Sequence, residues 1–275
     1  MPATPDIQAM RSAAREIRKQ AVRMSHRSHA THLGSSLSCA DVLAAAYWGV
    51  LRLNPQAPDD PERDRFILSK GHAAAALFAT LALRGFFPVE DLERYASPGC
   101  HMEEHPSPKA APGVEAATGS LGHGLPIGTG MALAARIAGR PSRVFVLMGD
   151  GEQNEGSVWE AAMFAGGQRL ANLCAVIDCN RWQATGRSGE ILALEPLADK
   201  WRSFGWDAVE VDGHDVGALA TAMAATPGES GRPLAIVART VKGKGVSFME
   251  DDNNWHYRVP NDDELARALG ELEGA

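Results

Sequence analysis

Aromatic residues make up only 6% of this 275-residue chain, and cysteine occurs four times, at Cys39, Cys100, Cys174 and Cys179. No two of these form a C-x-x-C pair, so neither a zinc site nor a dithiol redox motif is supported. Free thiols are expected instead. The longest apolar run, Ala73 to Leu83, is too short to span a bilayer. The opening MPATPDIQAM has no basic region followed by an apolar one, so no secretory leader is expected. These absences point to a cytoplasmic protein without a membrane partner. The net charge is −7 and no basic patch stands out, which argues against nucleic acid as a partner. There is no G-x-x-x-x-G-K-[ST] and no G-x-G-x-x-G. A P-loop and a dinucleotide fingerprint are therefore both excluded.

What is present is an alternation of buried strands and helices rich in alanine and glycine. Strands are expected at 66–68, 143–148, 173–178, 207–211 and 233–239. Helices are expected at 7–29, from Ser38 to about Leu51, from about Lys70 to Arg84, up to Ile137, and at 155–167, 195–204 and 215–224. Arg11, Arg15, Arg18, Lys19 and Arg23 suit a solvated face on the first helix. Ser38 and Asp41 suggest a capping box after a Gly34-Ser35-Ser36 loop, and Asn261 with Glu264 suggests another before the last helix. The fold class is α/β, a doubly wound, mainly parallel sheet with helices on both faces. No repeat or linker divides it, so residues 1–275 are expected to form a single domain.

The stretch from Arg143 to Gln183 is the most informative. RVFVLM is an apolar strand that stops at Gly149-Asp150-Gly151. A helix follows, with Val158, Trp159, Ala162 and Met163 on one face. A second strand, Leu173 to Asp178, ends at Cys179-Asn180-Arg181-Trp182. This is a βαβ unit, so Asp150 and Asn180 lie at the same edge of the sheet, where open α/β sheets bind ligands. Carboxylate and amide oxygens are hard donors that suit Mg²⁺, which completes its shell with water and phosphate oxygens. Glycines let backbone approach a phosphate closely. The residues alone support a metal-bridged diphosphate site, or else a turn in which Asp150 caps a helix and Asn180 is left-handed.

Gly149-Asp150-Gly151 followed by Asn180, within GDGEQNEGSVWEAAMFAGGQRLANLCAVIDCNRWQATG, resembles the thiamine diphosphate fingerprint. The wording is similar to the amino-terminal half of transketolase in its split-gene form, from about Arg11 to Pro260. That resemblance implies Mg²⁺ held by Asp150, Asn180 and the carbonyl of Trp182, with Gly149, Gly151 and Glu152 beside the cofactor. The loop Gly119-Ser120-Leu121-Gly122-His123, which by composition alone could serve close helix–sheet packing, is implied to hold the aminopyrimidine and diphosphate. His32 in His-x-Gly, His72 in Ser-x-Gly-His and His105 in His-Pro are implied to contact substrate. His256 is implied to meet the cofactor phosphates, and Lys242 is grouped with the cofactor contacts, although lysines at 242 and 244 are more commonly surface charges. His29 is left without a role. His101, His105, Glu103 and Glu104 fit no metal spacing. Two positions depart from the family pattern: Glu104 stands where glycine precedes the His-Pro turn, and Tyr257 where glycine follows the late histidine.

The implied reaction passes a two-carbon ketol unit from a ketose, phosphorylated on this reading, to an aldose. Thiamine diphosphate supplies the carbanion chemistry. In this fold the ring-activating glutamate lies in a pyrimidine-binding domain, which this chain is expected to lack. The partner is then a C-terminal transketolase subunit, in an α₂β₂ heterotetramer. Glu155 and Glu160, otherwise an ordinary acidic helix start, are implied to join a carboxylate network at that interface. The competing expectations are a subunit of another thiamine enzyme, deoxyxylulose-phosphate synthase-like or 2-oxo acid dehydrogenase-like, and a non-catalytic nucleotide-binding α/β protein.

Overall fold

The computed structural model describes residues 6–274. Residues 1–5, on which the expectation of no leader partly rests, and Ala275 lie outside it. Five strands form one sheet: β1 Arg65–Leu68, β2 Val144–Gly149, β3 Leu173–Cys179, β4 Asp207–Asp212 and β5 Leu234–Arg239. They run in the order β1-β2-β3-β5-β4, and every pairing is parallel. The carboxyl ends therefore line one edge.

Alternation along the strands feeds two cores. Phe145, Leu147, Val176 and Ile236 point into one core, built with α1 Ile7–Ser28, α3 Ala40–Ala44 and α4 Ala74–Leu83. The same core takes up α9 Val216–Ala224 and α10 Asp262–Gly274. Val144, Val146, Ala175, Ile177 and Val237 point into the other, under α5 Gly124–Ile137, α6 Gly156–Gly167 and α8 Leu197–Ser203. With both faces covered, β2 and β3 need no polar alternation, which is why they read as continuous apolar runs. The remaining helices are short: α2 Leu33–Ser38 and α7 Ser188–Ile191.

Capping accounts for several helix ends. Asp6 accepts from the amides of Gln8 and Ala9 at 3.0 Å and starts α1. Asn261 and Glu264 form a reciprocal capping box, at 2.9 and 3.0 Å, before the bulk of α10. Ser38 and Asp41 do not. Gly34-Ser35-Ser36 is helical within α2, not a loop, and its residues are buried. Ser38 bonds to Asp178, and Asp41 pairs with Arg18 and His214. The helix continues through a π turn, Ala45–Val50. Arg18, expected on a solvated face, is buried by that pairing with Asp41. On α6 the buried residues are Val158, Ala161, Ala162 and Ala165, whereas Met163 is 60% exposed. The helix expected from Glu195 begins at Leu197, after Pro196.

Tight backbone contacts fix the loops at the carboxyl edge. Gly71, after β1, lies so close to the loop before α5 that a Cβ there would stand 2.5 Å from the carbonyl carbon of Thr118. Neither side is a flexible side chain that could give way. Gly71→Ala is expected to cost about 1–3 kcal/mol through overpacking. Urea unfolding checks this; an unchanged midpoint would show that the two loops separate freely.

Candidate functional site

The carboxyl edge encloses a cavity of about 400 Å³. Its floor is the pair of strand ends singled out by the sequence. Register places Gly149 of β2 beside Asp178 of β3, so Asp150 and Asn180 follow on neighbouring strands. Both side chains are buried and both line the cavity.

Asp150 accepts from the Gly151 amide at 2.9 Å, the Arg181 amide at 2.7 Å and the Ser188 hydroxyl at 3.0 Å. It also caps the short turn Gly151–Asn154. Burial, and the nearby Asp178 carboxylate, push its pKa up to about 6. Asn180 is not left-handed; Arg181 is, with φ 68°. The Asn180 amide nitrogen faces Ser38 and Asp178 at 3.4 and 3.5 Å. Its oxygen is thereby turned the other way, where it accepts from the Trp182 amide at 3.0 Å. Among the described residues no donor bonds to the Trp182 carbonyl. The buried Gln183 amide nitrogen, on the cavity wall, also has no partner. A Cβ on Gly149 would meet nothing within 4 Å, so open space lies over the first glycine.

A carboxylate, an amide oxygen and an unpartnered carbonyl at one corner are hard oxygen donors that suit a divalent cation, each oxygen having more than one lone pair to offer. An orphaned donor and a bare glycine backbone suit phosphate oxygens beside it. The residues present thus fit a Mg²⁺–diphosphate group. No group of three or more His, Cys, Asp or Glu side chains is placed to hold a metal among the described residues, so a zinc-type site is not the alternative.

Behind this floor lies a buried ion pair that the sequence reading did not single out. Lys70 donates to Asp178 and, at 3.1 Å, to the Ser35 carbonyl. Asp178 also accepts from Ser38 at 2.5 Å and from Thr240. Burial alone would push the Asp178 carboxyl up, but the Lys70 ammonium and these hydroxyls hold it below its usual range. The only sequence signal was position, since Lys70 sits beside the Ser-x-Gly-His turn and Asp178 at a strand end.

The wall carries four imidazoles. His32, His72, His105 and His256 all line the cavity. The His32 ring lies 5.5 Å from His72, 6.0 Å from His105 and 4.9 Å from His256. His32 has φ 67°, a left-handed backbone, and its amide donates to the His256 carbonyl at 2.8 Å. Burial, followed by the charge of Lys70, lowers the His72 pKa well below the imidazole range. His256 is pushed down to about 3 by burial and by Lys242. Lys242 is not a surface charge: it is 1% exposed and donates to Asn253 at 2.7 Å and to His256 Nδ1 at 3.0 Å. Its own pKa falls to about 8, through burial and then Lys70. Lys244 is the surface lysine, paired with Glu250 at 3.3 Å.

The remaining expected residues divide. Gly119, Leu121, Gly151 and Glu155 line the cavity, as do Glu152 and Trp182. The buried Glu152 carboxylate faces inward, accepting from Ser69 and from the amides of Gly122 at 2.9 Å and Gly149 at 3.2 Å. It braces the two glycine loops against each other. Ser120 and His123 are exposed and do not line the cavity, and Gly122 is buried behind it. Glu160 is exposed on α6, away from the cavity. His29 caps the end of α1, and His101 is exposed outside the cavity. Ser35, Gln183 and Thr185 are lining residues that the sequence did not bring forward.

Comparison with known proteins identifies the family. The family described as the transketolase thiamine diphosphate-binding domain matches residues 9–272. A 6-deoxy-6-sulfo-D-fructose transketolase subunit from Clostridium sp. (strain MSTE9) is 43% identical, over 88% of each chain. An apulose-4-phosphate transketolase subunit from Phocaeicola vulgatus is 40% identical, over 93% of this chain and 90% of the relative. The crystal structure of the Campylobacter jejuni transketolase superposes with a TM-score of 0.91 at 28% identity, over 98% of this chain. This chain spans only 43% of that structure's length. No helix among the described residues is long and apolar enough to cross a membrane. The chain belongs to the transketolase family, in its thiamine diphosphate-binding domain.

Proposed function

We propose that this chain is the diphosphate-binding subunit of a two-chain transketolase dependent on thiamine diphosphate and Mg²⁺. The observation that carries the reading is the convergence of two donor sets in one cavity. Hard oxygens lie on its floor, and the unpartnered Gln183 amide nitrogen and four imidazoles stand on its wall. Thiamine diphosphate, when bound, would supply the nucleophilic carbon and electron sink for cleaving a ketose beside its carbonyl.

Asp150, Asn180 and the Trp182 carbonyl would hold Mg²⁺, with Gln183 donating toward phosphate oxygen. Lys242 donates to His256 Nδ1, which leaves the neutral ring protonated on Nε2 and able to donate as well. Such a donor suits a phosphate oxygen. His72, kept neutral by burial, and His32 would bind substrate hydroxyls and accept their protons. His105, at the exposed rim, would meet the donor sugar on entry. The names of two relatives specify a sulfo sugar and a sugar phosphate. For this chain a ketose with an anionic tail follows the same pattern.

The partner would be the C-terminal subunit with the pyrimidine-binding domain, joined in an α₂β₂ assembly. Two observations support this. Relatives of matching length are named as subunits. Ile137 at the end of α5 and Met163 and Phe164 on α6 are exposed at 77%, 60% and 48%, and Glu155 and Glu160 are exposed as well. Large exposed apolar side chains on these helices suit an interaction surface. All four cysteines are unpaired, which suits the reducing cytoplasm.

Asp150→Ala and Asn180→Ala should each weaken Mg²⁺-dependent thiamine diphosphate binding, by about tenfold or more. Protons compete for Asp150, so the affinity should also fall as pH drops through 6. Calorimetry with the partner bound reads both effects; unchanged affinity in the two variants would remove the metal assignment.

His72→Ala should lower turnover by roughly a hundredfold while shifting cofactor affinity far less. His32→Ala should behave the same way. Steady-state rates at saturating cofactor decide this, and normal turnover with weakened cofactor binding would reverse the two roles.

The chain alone should be silent in ketol transfer and become active with its partner. Light scattering beside a coupled aldose assay tests both. Full activity from the isolated chain would overturn the two-chain proposal.

A further inference from the structure

Glu104 and Tyr257 are the two positions at which the sequence departs from the family pattern, and both lie beside His32. The Tyr257 ring is 6.0 Å from that of His32 but makes no hydrogen bond to it. Glu104 does more. Its Oε2 accepts from the Thr31 amide and faces the Thr31 hydroxyl, each at 3.1 Å. The same hydroxyl lies 2.9 Å from His32 Nδ1. Glu104 Oε2 itself is 3.9 Å from that nitrogen, too far for a direct bond.

We propose that Glu104 and Thr31 form a relay that fixes the tautomer of His32, with the proton on Nδ1 and the lone pair of Nε2 turned toward the cavity. Both are positioning residues, acting through His32. Proton counting carries the argument. A threonine hydroxyl has one proton to give, and an ionised carboxylate can only accept. If the hydroxyl donated to His32 instead, its lone pairs would face the Glu104 oxygen at 3.1 Å, with repulsion in place of a charge-assisted bond. The hydroxyl proton therefore goes to Glu104, and the hydroxyl oxygen accepts from Nδ1–H. Nε2 has no protein hydrogen-bond partner among the described residues, and the ring lines the cavity.

The other groups around the ring do not compete for Nδ1. His72, His105 and His256 approach ring to ring, at 5.5, 6.0 and 4.9 Å. Lys242 is engaged by Asn253 and His256. Burial, with the neighbouring His105, lowers the His32 pKa, so the neutral ring is the form whose tautomer matters. Glu104 also ties the Thr31 amide beside the left-handed backbone of His32. The substrate group this arrangement receives is a hydroxyl that gives up its proton to Nε2, not a carbonyl that needs a donor.

The inference deepens the transferase reading and rests on it only for the identity of the hydroxyl; the tautomer is a property of the chain itself. The test is long-range proton–nitrogen NMR of the full chain with ¹⁵N-histidine, above the ordinary imidazole range. His32→Asn assigns the signals. Wild type and Thr31→Ser should both show His32 protonated on Nδ1. Glu104→Ala, at a half-exposed side chain, should shift the population toward Nε2–H. The double variant Thr31→Val with Glu104→Ala should lose the Nδ1 preference entirely. A wild-type ring protonated on Nε2, or a double variant with the wild-type pattern, would overturn the relay. Failure of ketol transfer would leave these spectra unchanged, so the two readings fail separately.

Discussion

The buried Lys70–Asp178 ion pair is the contact on which the arrangement of the site depends. Lys70 leaves the end of β1 and Asp178 stands near the end of β3, with β2 between them. Thr240, just past β5, donates to the same carboxylate, and so does Ser38 of α2. Three strand ends and one helix are thus held by a single charge pair. Removing one partner of such a pair costs about 3–5 kcal/mol, because the other charge is left buried and uncompensated. The pair also reaches the metal corner. Asp178 sets which way the Asn180 amide faces, and its charge raises the cost of ionising Asp150. Asp150 and Asp178 thus stand close together at the strand ends, and a divalent cation at Asp150 would offset their mutual repulsion.

Much of this was legible in the sequence, for a physical reason. A parallel sheet covered on both faces needs continuous apolar strands, and such runs are hard to mistake where polar or glycine residues end them. β2, β3 and β5 were therefore readable, along with the carboxyl-end placement of Asp150 and Asn180. The helical state of Gly34-Ser35-Ser36 was not. Glycine and serine usually mark a loop, and here tertiary contact overrides that propensity. A Cβ on Gly34 would press the Lys242 side chain at 3.1 Å and the Trp255 carbonyl at 3.3 Å. The residues are small because a buried lysine passes over them. That lysine comes from more than two hundred positions away, beyond the reach of any local pattern. Arg18 was misread for the same kind of reason, since its partner Asp41 lies across the α1–α3 packing.

The histidines were legible as turns, but their chemistry was not. Nothing in the strings around His32 and His256 states which nitrogen carries the proton. In the folded chain the neighbours decide it. A lysine can only donate, so His256 must accept at Nδ1 and keep its proton on Nε2. A carboxylate can only accept, so through Thr31 it draws the His32 proton to Nδ1. Two rings 4.9 Å apart thus present opposite faces to one cavity, one donating and one accepting.

That opposition suits a site with two kinds of ligand. Phosphate oxygens need donors and sugar hydroxyls need acceptors, and both would meet side chains of one cavity. Charging the imidazoles would make every one of them a donor. Burial prevents this by lowering the pKa of His32, His72 and His256 alike, with Lys70 and Lys242 adding to the effect. The lysines are therefore not simply spare positive charge near a diphosphate. Together with burial they favour the neutral rings, so that one side-chain type can serve opposite roles, and for His32 and His256 the fixed neighbour, Thr31 or Lys242, determines which role each takes.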